Sequence, residues 1–180
     1  DDRAGLALAQ TSGLPEIVAR ALAARGIDGD SLDAFLEPTL RDALPDPSSL
    51  RDMDKAVERL VQAINGGERI GIFGDYDVDG ATSTALLTRF FQSIGRSVSV
   101  YIPDRITEGY GPNTEALLRL KNEEKVDVVI TVDCGITAHG PLGDAAAAGL
   151  DVIVVDHHVA EPRLPEAAAV VNPNRLDDDS

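Results

Sequence analysis

The chain has 180 residues, of which 43% are hydrophobic and 4% aromatic, which is enough for one globular domain with a short appendage. Its single cysteine, Cys134, excludes an internal disulfide, and the expected compartment is the cytoplasm. No apolar run approaches the roughly 18 residues that span a bilayer, so no membrane partner is expected. The formal net charge of −15 argues, taken alone, against a partner bound through its phosphate backbone.

The first fifty residues are predicted to form a small helical segment. Apolar residues at helical spacing predict helices over 14–25 and 31–37, and the prolines and serines of 41–50 predict a connector. We therefore expect a helical N-terminal segment over 1–50 and a second domain over 51–180. The chain lacks a starting methionine, and we expect it to be a fragment of a longer protein.

From residue 53 onward, helical and strand patterns alternate. Helices are predicted over 53–67, 81–95, 114–124 and 138–149, the last interrupted near Pro141, and strands over 69–73, 97–103, 126–132, 151–155 and 167–173. Several strands are β-branched along their whole length, which is typical of strands buried on both faces. The sequence therefore predicts an α/β fold, a parallel sheet with helices on both faces.

Acidic and imidazole side chains follow three of these strands. The residues concerned are Asp75, Asp77 and Asp79 after the first strand, Asp133 after the third, and Asp156, His157 and His158 after the fourth. Because parallel strands direct their carboxyl ends to one edge of a sheet, these side chains are expected to converge there.

A cluster of carboxylates at one sheet edge would be destabilised by charge repulsion unless a cation is bound. Two carboxylates about 6 Å apart repel by about 3 kcal/mol at an effective dielectric constant near 20. Oxygen ligands with one or two imidazoles suit Mn²⁺ or Mg²⁺. By itself, GDYDVDG also fits a solvated loop in which Asp79 caps the next helix, and DHH also fits a polar loop. Three such segments at equivalent strand ends favour a metal site.

Weaker candidates lie near this edge. In the loop 102–111, Arg105 is predicted to hold a phosphate and Tyr110 to stack on a base. Cys134 is interpreted as a buried thiol and His139 as a surface or capping residue. The glycines do not form either nucleotide phosphate loop.

The segments FGDYDVDGATSTALL, YIPDRITEGYG, TVDCGIT and VDHHV, in this order, resemble the DHH phosphoesterase superfamily and, within it, the RecJ family of bacterial exonucleases. The resemblance extends from about Leu14 to Arg175. It implies a 5′-to-3′ exonuclease that hydrolyses single-stranded DNA in recombination and repair with two Mn²⁺ or Mg²⁺ ions. It also implies a single-strand-binding protein and a helicase as partners.

The resemblance also implies residue roles. Metal ligands would be Asp75, Asp77, Asp79, Asp133 and His157. Asp133 would bridge the two ions and so be catalytic, His158 would be catalytic and contact the scissile phosphate, and Asp156 would support the site from behind the ligands. Bound cations would offset part of the negative charge, and Arg105 and Arg175 would add a positive lining. Arg119 and Lys121 could add to that lining, but a solvated helix face is the favoured interpretation for these two.

Members of this family carry a further metal-binding aspartate and further domains downstream, so the second domain is expected to be truncated at its C-terminal end. We therefore predict weak metal binding and little nuclease activity for this chain. Two other functions stay open: a related phosphodiesterase for short oligonucleotides, cyclic dinucleotides or pyrophosphate, and a non-catalytic scaffold with the same fold.

Overall fold

The computed structural model describes residues 2–180 and divides into two compact units, one ending at Asp46 and one covering Pro47–Ser180. Four helices form the first unit: α1 (Asp2–Ser12), α2 (Glu16–Ala23), α3 (Leu32–Leu36) and α4 (Leu40–Ala43). Their small core contains Leu8, Ala19, Leu22 and Leu32. The predicted boundary after residue 50 stays a prediction.

Two helices of the first unit were not predicted. In α1, Gly5 lowers helix propensity, but a Cβ at this position would lie 2.6 Å from Cγ of Arg20, so only glycine lets α2 approach this closely. Helix α4 is a single turn that overlaps the start of the predicted connector. The Thr39 side chain caps it by accepting a hydrogen bond from the Asp42 N–H.

The second unit contains a five-stranded parallel sheet. Its elements are α5 (Met53–Gly66), β1 (Ile70–Gly74), α6 (Val78–Ser93), β2 (Ser99–Tyr101), α7 (Thr114–Asn122), β3 (Val128–Val132), α8 (His139–Ala147), β4 (Asp151–Val155) and β5 (Ala169–Val171). The strand order is β2-β1-β3-β4-β5, and every neighbouring pair is parallel.

Helices cover both faces of this sheet. Helices α7 and α8 share a core with one face, and α5 and α6 share a core with the other. Successive residues of one strand alternate between the two cores: Ile72 packs with α5 and α6, whereas Phe73 packs with α7 and α8. This architecture confirms the predicted α/β fold and explains the uninterrupted apolar strands.

Two helix predictions need correction. Helix α6 begins at Val78 rather than at residue 81, because the Asp77 carboxylate caps its first turn. Helix α8 is not interrupted near Pro141, so that prediction was wrong. Pro141 lies in the first turn, where a backbone N–H has no partner within the helix and its loss costs nothing.

The register of the strands leaves a level edge at their carboxyl ends. Gly74 pairs with Val132, Val132 with Val155, and Val155 with Val171. The residues that follow these four positions must therefore stand side by side along one edge of the sheet.

Candidate metal centre

The four residues directly after the level edge form the strand-end row: Asp75, Asp133, Asp156 and Asn172. Sheet-like hydrogen bonding continues into this row, because the Asp75, Asp133 and Asp156 N–H groups donate to the last carbonyl of the neighbouring strand at 3.3, 2.9 and 3.1 Å. All four residues are buried, with relative exposures of 3, 7, 5 and 0% respectively. The predicted convergence of the strand ends is thus built from backbone geometry.

The loop after β1 holds two carboxylates in different ways. Oδ1 of Asp75 is buried and has no hydrogen-bond partner among the described residues. Oδ1 of Asp77 accepts from the N–H groups of Asp79 and Gly80 at 2.9 and 3.0 Å. These bonds, led by the one from Gly80, lower the pKa of Asp77. Gly80 is required here, since a Cβ would overlap the carbonyl oxygen of Asp75.

Asp79 is exposed in the first turn of α6. It borders a cleft of about 570 Å³ between α5, α6 and the sheet, which Asp133, Asp156 and His157 also line. Its carboxylate belongs to neither of the ligand groups described below. The metal-binding role of Asp79 stays a prediction.

Asp133 occupies the centre of the candidate site. Its φ of +62° is uncommon for a residue with a side chain, and the following Gly135 has a φ of +110°. Oxygen atoms of Asp75, Asp77 and Asp133 lie within 4.8 Å of one another. Burial, followed by the nearby Asp77 carboxyl, raises the pKa of Asp133 because both disfavour its charged form.

A second group contains the same aspartate. Ligand atoms of Asp133, His157 and His158 also lie within 4.8 Å of one another. Nε2 of His157 is 2.9 Å from Oδ1 of Asp133, which is an ion-pair distance, although Oδ1 accepts no hydrogen bond from a described residue. Two groups of three potential ligands therefore share Asp133.

Asp156 differs from the other acidic residues of the row, because its carboxylate is fully hydrogen-bonded. Oδ2 accepts from the Ile136 N–H at 3.0 Å, and Oδ1 accepts from the N–H groups of His157 and His158 at 2.7 and 3.1 Å. Although burial, the largest single effect, raises the pKa, these donors and the His158 ring together lower it. Asp156 thus shapes the DHH turn rather than offering a free ligand oxygen.

His158 and Tyr110 meet beside Asp133. Nδ1 of His158 donates to Asp156 at 2.7 Å, and this hydrogen bond raises the pKa of His158. The Tyr110 hydroxyl donates to the Asp133 carbonyl at 3.1 Å and lies 3.2 Å from Nδ1 of His158. The Tyr110 ring is half exposed and meets the His158 ring edge-on, with ring centroids 5.8 Å apart.

The basic residues expected near the site have different surroundings. The Arg105 guanidinium lies 5.0 Å from the centre of the Tyr76 ring, next to Asp75 and Asp77 in the sequence. Arg119 packs over Tyr101, and Lys121 donates to the Gly149 carbonyl. The expectation that Arg175 lines the site was wrong: it is buried, with its guanidinium bound to Asp52 and Asp177.

Two residues of the site were missed from sequence. Asn172 and Asn174 follow β5 and donate side-chain hydrogen bonds to the carbonyls of His158 and His157, respectively. Their only signal was an N-P-N segment after the last apolar strand, which is also an ordinary turn sequence.

A divalent cation fits these residues. Buried carboxylate oxygens without hydrogen bonds are costly, and Oδ1 of Asp75 and Oδ1 of Asp133 both lack one among the described residues, although the latter contacts Nε2 of His157. A cation beside them would satisfy both and would offset the repulsion within the cluster. Carboxylate oxygens suit Mn²⁺ and Mg²⁺, and neither ligand group contains a thiolate. Cys134 is buried, and burial raises the pKa of its thiol, so it stays protonated.

Comparison with known proteins identifies the family. Residues 69–180 match the DHH family, N-terminal domain. This chain belongs to the DHH family. Among curated DHH relatives, the single-stranded-DNA-specific exonuclease RecJ of Bacillus subtilis is 42% identical over 160 residues, covering 88% of this chain and 20% of the relative. The Escherichia coli RecJ is 38% identical over 165 residues, covering 91% of this chain and 28% of the relative.

Solved structures show the same similarity. RecJ from Thermus thermophilus in complex with Mn²⁺ aligns over 99% of this chain and 24% of its own, with a TM-score of 0.70 and 31% identity. A manganese-bound exonuclease RecJ aligns over 73% of this chain and 33% of its own, with a TM-score of 0.65 and 39% identity. This DHH chain thus spans less than a third of the length of the two curated relatives. Among residues 2–180, no helix combines the length and apolarity needed to cross a membrane.

Proposed function

We propose that this chain is the metal-binding part of a single-strand DNA exonuclease that hydrolyses phosphodiester bonds from the 5′ end in recombination and repair. The observation that carries the proposal is the pair of ligand groups that share Asp133, with buried oxygens of Asp75 and Asp133 left without hydrogen-bond partners. The RecJ relatives support the substrate, since their names specify single-stranded DNA.

Two Mn²⁺ or Mg²⁺ ions are proposed to bind, one at each group. Asp75 and Asp77 would hold one ion, His157 would hold the other, and Asp133 would contribute to both. Asp79 is proposed as a further metal ligand. When bound, such ions lower the pKa of a water molecule and neutralise the charge of phosphate oxygens.

His158 is the proposed hydrogen-bond donor to the scissile phosphate. Its Nδ1 already donates to Asp156, so Nε2 is the ring nitrogen left for a phosphate oxygen. The raised pKa favours the imidazolium, which donates the stronger hydrogen bond to an anion. Asp156 fixes the ring and its tautomer. Asp133 and Asp75 are too buried to act without the cations that their oxygens require.

Arg105 and Tyr110 are proposed to contact DNA. Arg105, stacked on Tyr76, would bind a phosphate beside the metal groups, and the half-exposed Tyr110 ring would contact a base. The cytoplasm, a single-strand-binding protein and a helicase complete the proposal. Their support is the family resemblance alone.

Manganese titration and digestion assays test the proposal. Calorimetry should detect Mn²⁺ binding to the wild-type chain that disappears in Asp133→Asn, with Asp30→Asn, an exposed turn residue of the first unit, as the matched control. We expect weak binding and little digestion of long 5′-phosphorylated single strands. Equal binding by wild type and Asp133→Asn would contradict the site, and preferential cleavage of dinucleotides would contradict the exonuclease.

A further inference from the structure

Asn172 occupies the last position of the strand-end row. It follows β5 directly and is completely buried. The neighbouring Asp156 N–H donates to the carbonyl of Val171, so Asn172 is brought beside the DHH turn by the sheet itself. A fully buried carboxamide needs a hydrogen-bond partner at each end.

Both ends of this carboxamide are used. Nδ2 donates to the His158 carbonyl at 2.9 Å, and Oδ1 accepts from the Asn174 N–H at 2.7 Å. One partner is an acceptor and the other a donor, so the orientation of the amide is defined. Aspartate has nearly the same shape but lacks the donor, and it would present an oxygen to the His158 carbonyl.

Asn174 continues the pattern. Its side-chain amide donates to the carbonyl of His157. Asn172 and Asn174, the asparagine clamp, thus hold the carbonyls of both histidines. Asp156 accepts from the N–H groups of the same two histidines. The peptide groups of the turn are therefore held from both sides by side chains.

The loop that carries the clamp has separate anchors. The Arg175 guanidinium donates to the Val170 carbonyl at 2.6 Å and binds Asp52 and Asp177. These contacts hold the chain on both sides of the clamp without involving either histidine. Changes at the asparagines are therefore expected to move the DHH turn more than they weaken the fold.

We propose that Asn172 and Asn174 are positioning residues that place the imidazoles of His157 and His158 for metal and phosphate. They act through the histidine carbonyls and touch neither imidazole nitrogen. Loss of partners that orient metal ligands from behind weakens metal binding by about 10–100-fold. The metal and phosphate part of this inference rests on the proposed function, whereas the placement of the rings does not.

Histidine NMR separates the two parts. The chain contains only three histidines, so the ring signals of His157 and His158 can be followed against His139, which contacts Glu161 instead. In metal-free Asn172→Asp, we expect both DHH signals to shift while the His139 signal stays in place. Asn122→Asp, an exposed change of the same type, should leave all three unchanged.

A second variant and a metal titration complete the test. Asn174→Ala removes an exposed donor without adding charge, so it decides the matter if Asn172→Asp fails to fold. We expect it to shift the His157 signal and to weaken Mn²⁺ binding about 10-fold. Unchanged ring signals in the folded variants would overturn the clamp. Wild-type protein that binds no Mn²⁺ would overturn the proposed function, and the ring signals would still decide the clamp.

Discussion

Two aspartates of the strand-end row, Asp75 and Asp156, differ in what they contact. Both follow a parallel strand and both are buried. Asp156 accepts three backbone N–H groups and a histidine N–H, whereas Oδ1 of Asp75 has no partner in the described part of the chain. A carboxylate whose hydrogen bonds are complete supports the fold. One that is buried and incomplete is built for a ligand that the chain does not itself supply.

The largest expected effect is the loss of Mn²⁺ binding on substitution of Asp133. Like Asp75, Asp133 has a buried oxygen without a hydrogen bond, and it belongs to both ligand groups. Asp133→Asn should weaken Mn²⁺ binding about 1,000-fold, equivalent to about 4 kcal/mol, because both groups lose a shared charged oxygen. Isothermal titration calorimetry measures it. Binding within about tenfold of wild type would place the metal elsewhere.

Asp156→Asn tests the aspartate whose carboxylate is fully hydrogen-bonded. The amide cannot accept all the hydrogen bonds of the carboxylate, so buried donors lose partners and the free energy of unfolding should fall by about 3 kcal/mol without metal. Chemical denaturation in a chelator measures this loss. A stability equal to wild type would show that Asp156 is not the support of the DHH turn.

Gly80→Ala should displace Asp75, whose carboxylate lacks a full set of hydrogen bonds, by pushing on its backbone. The new Cβ would overlap the Asp75 carbonyl oxygen, so the loop must shift at a cost of about 2 kcal/mol, and Mn²⁺ binding should weaken with it. Gly140→Ala is the matched control, since no described atom outside its own helix and chain neighbours lies within 4 Å of its Cβ position. Similar denaturation midpoints for the two variants would refute the tight packing.

Asp75→Asn should have the opposite sign to Asp156→Asn. Removing a buried charge without a complete set of partners should raise metal-free stability by about 1 kcal/mol, while Mn²⁺ should stabilise this variant less than wild type. Thermal unfolding with and without Mn²⁺ reports both changes. A loss of metal-free stability like that of Asp156→Asn would erase the distinction between the two aspartates.

The smallest expected effect is the change with pH in the free energy of unfolding of the metal-free protein. The pKa of His158 is raised above 6.5, so its pairing with Asp156 stabilises the metal-free fold fully below about pH 6.5 and is lost as pH rises through the folded-state pKa. The pKa of Asp156 is lowered below 3.8, so its contribution is present above that pH and is lost as pH falls. Because the His158 ring is half exposed, we expect a decline of about 1 kcal/mol at most between about pH 5 and 8. Urea denaturation at both pH values should show a smaller decline in His158→Gln, and an unchanged decline would remove His158 as its source.

The meeting of Asp75, Asp133 and the DHH turn could be predicted from sequence, because parallel strands with helical crossovers leave their carboxyl ends at one edge. The difference between Asp75 and Asp156 could not. It depends on which backbone N–H groups each loop directs toward its carboxylate. The Ile136 N–H donates to Oδ2 of Asp156, yet Ile136 is distant from Asp156 in the sequence.

Long-range pairing explains the other errors. Arg175 was expected to add to a positive lining of the site, but its partner Asp52 lies at the opposite end of the second unit's sequence. Asn172 was missed because asparagine before proline is a common turn sequence. Only the register of β5 beside β4 shows that its amide reaches His158.

The most direct test of the central claim is a crystal structure with Mn²⁺, recorded at the manganese absorption edge. We expect anomalous density beside Asp75, Asp77 and Asp133, a second peak beside Asp133 and His157, and none at the carboxylate of Asp156. Density bound to Asp156 instead, or none along the strand-end row, would contradict it.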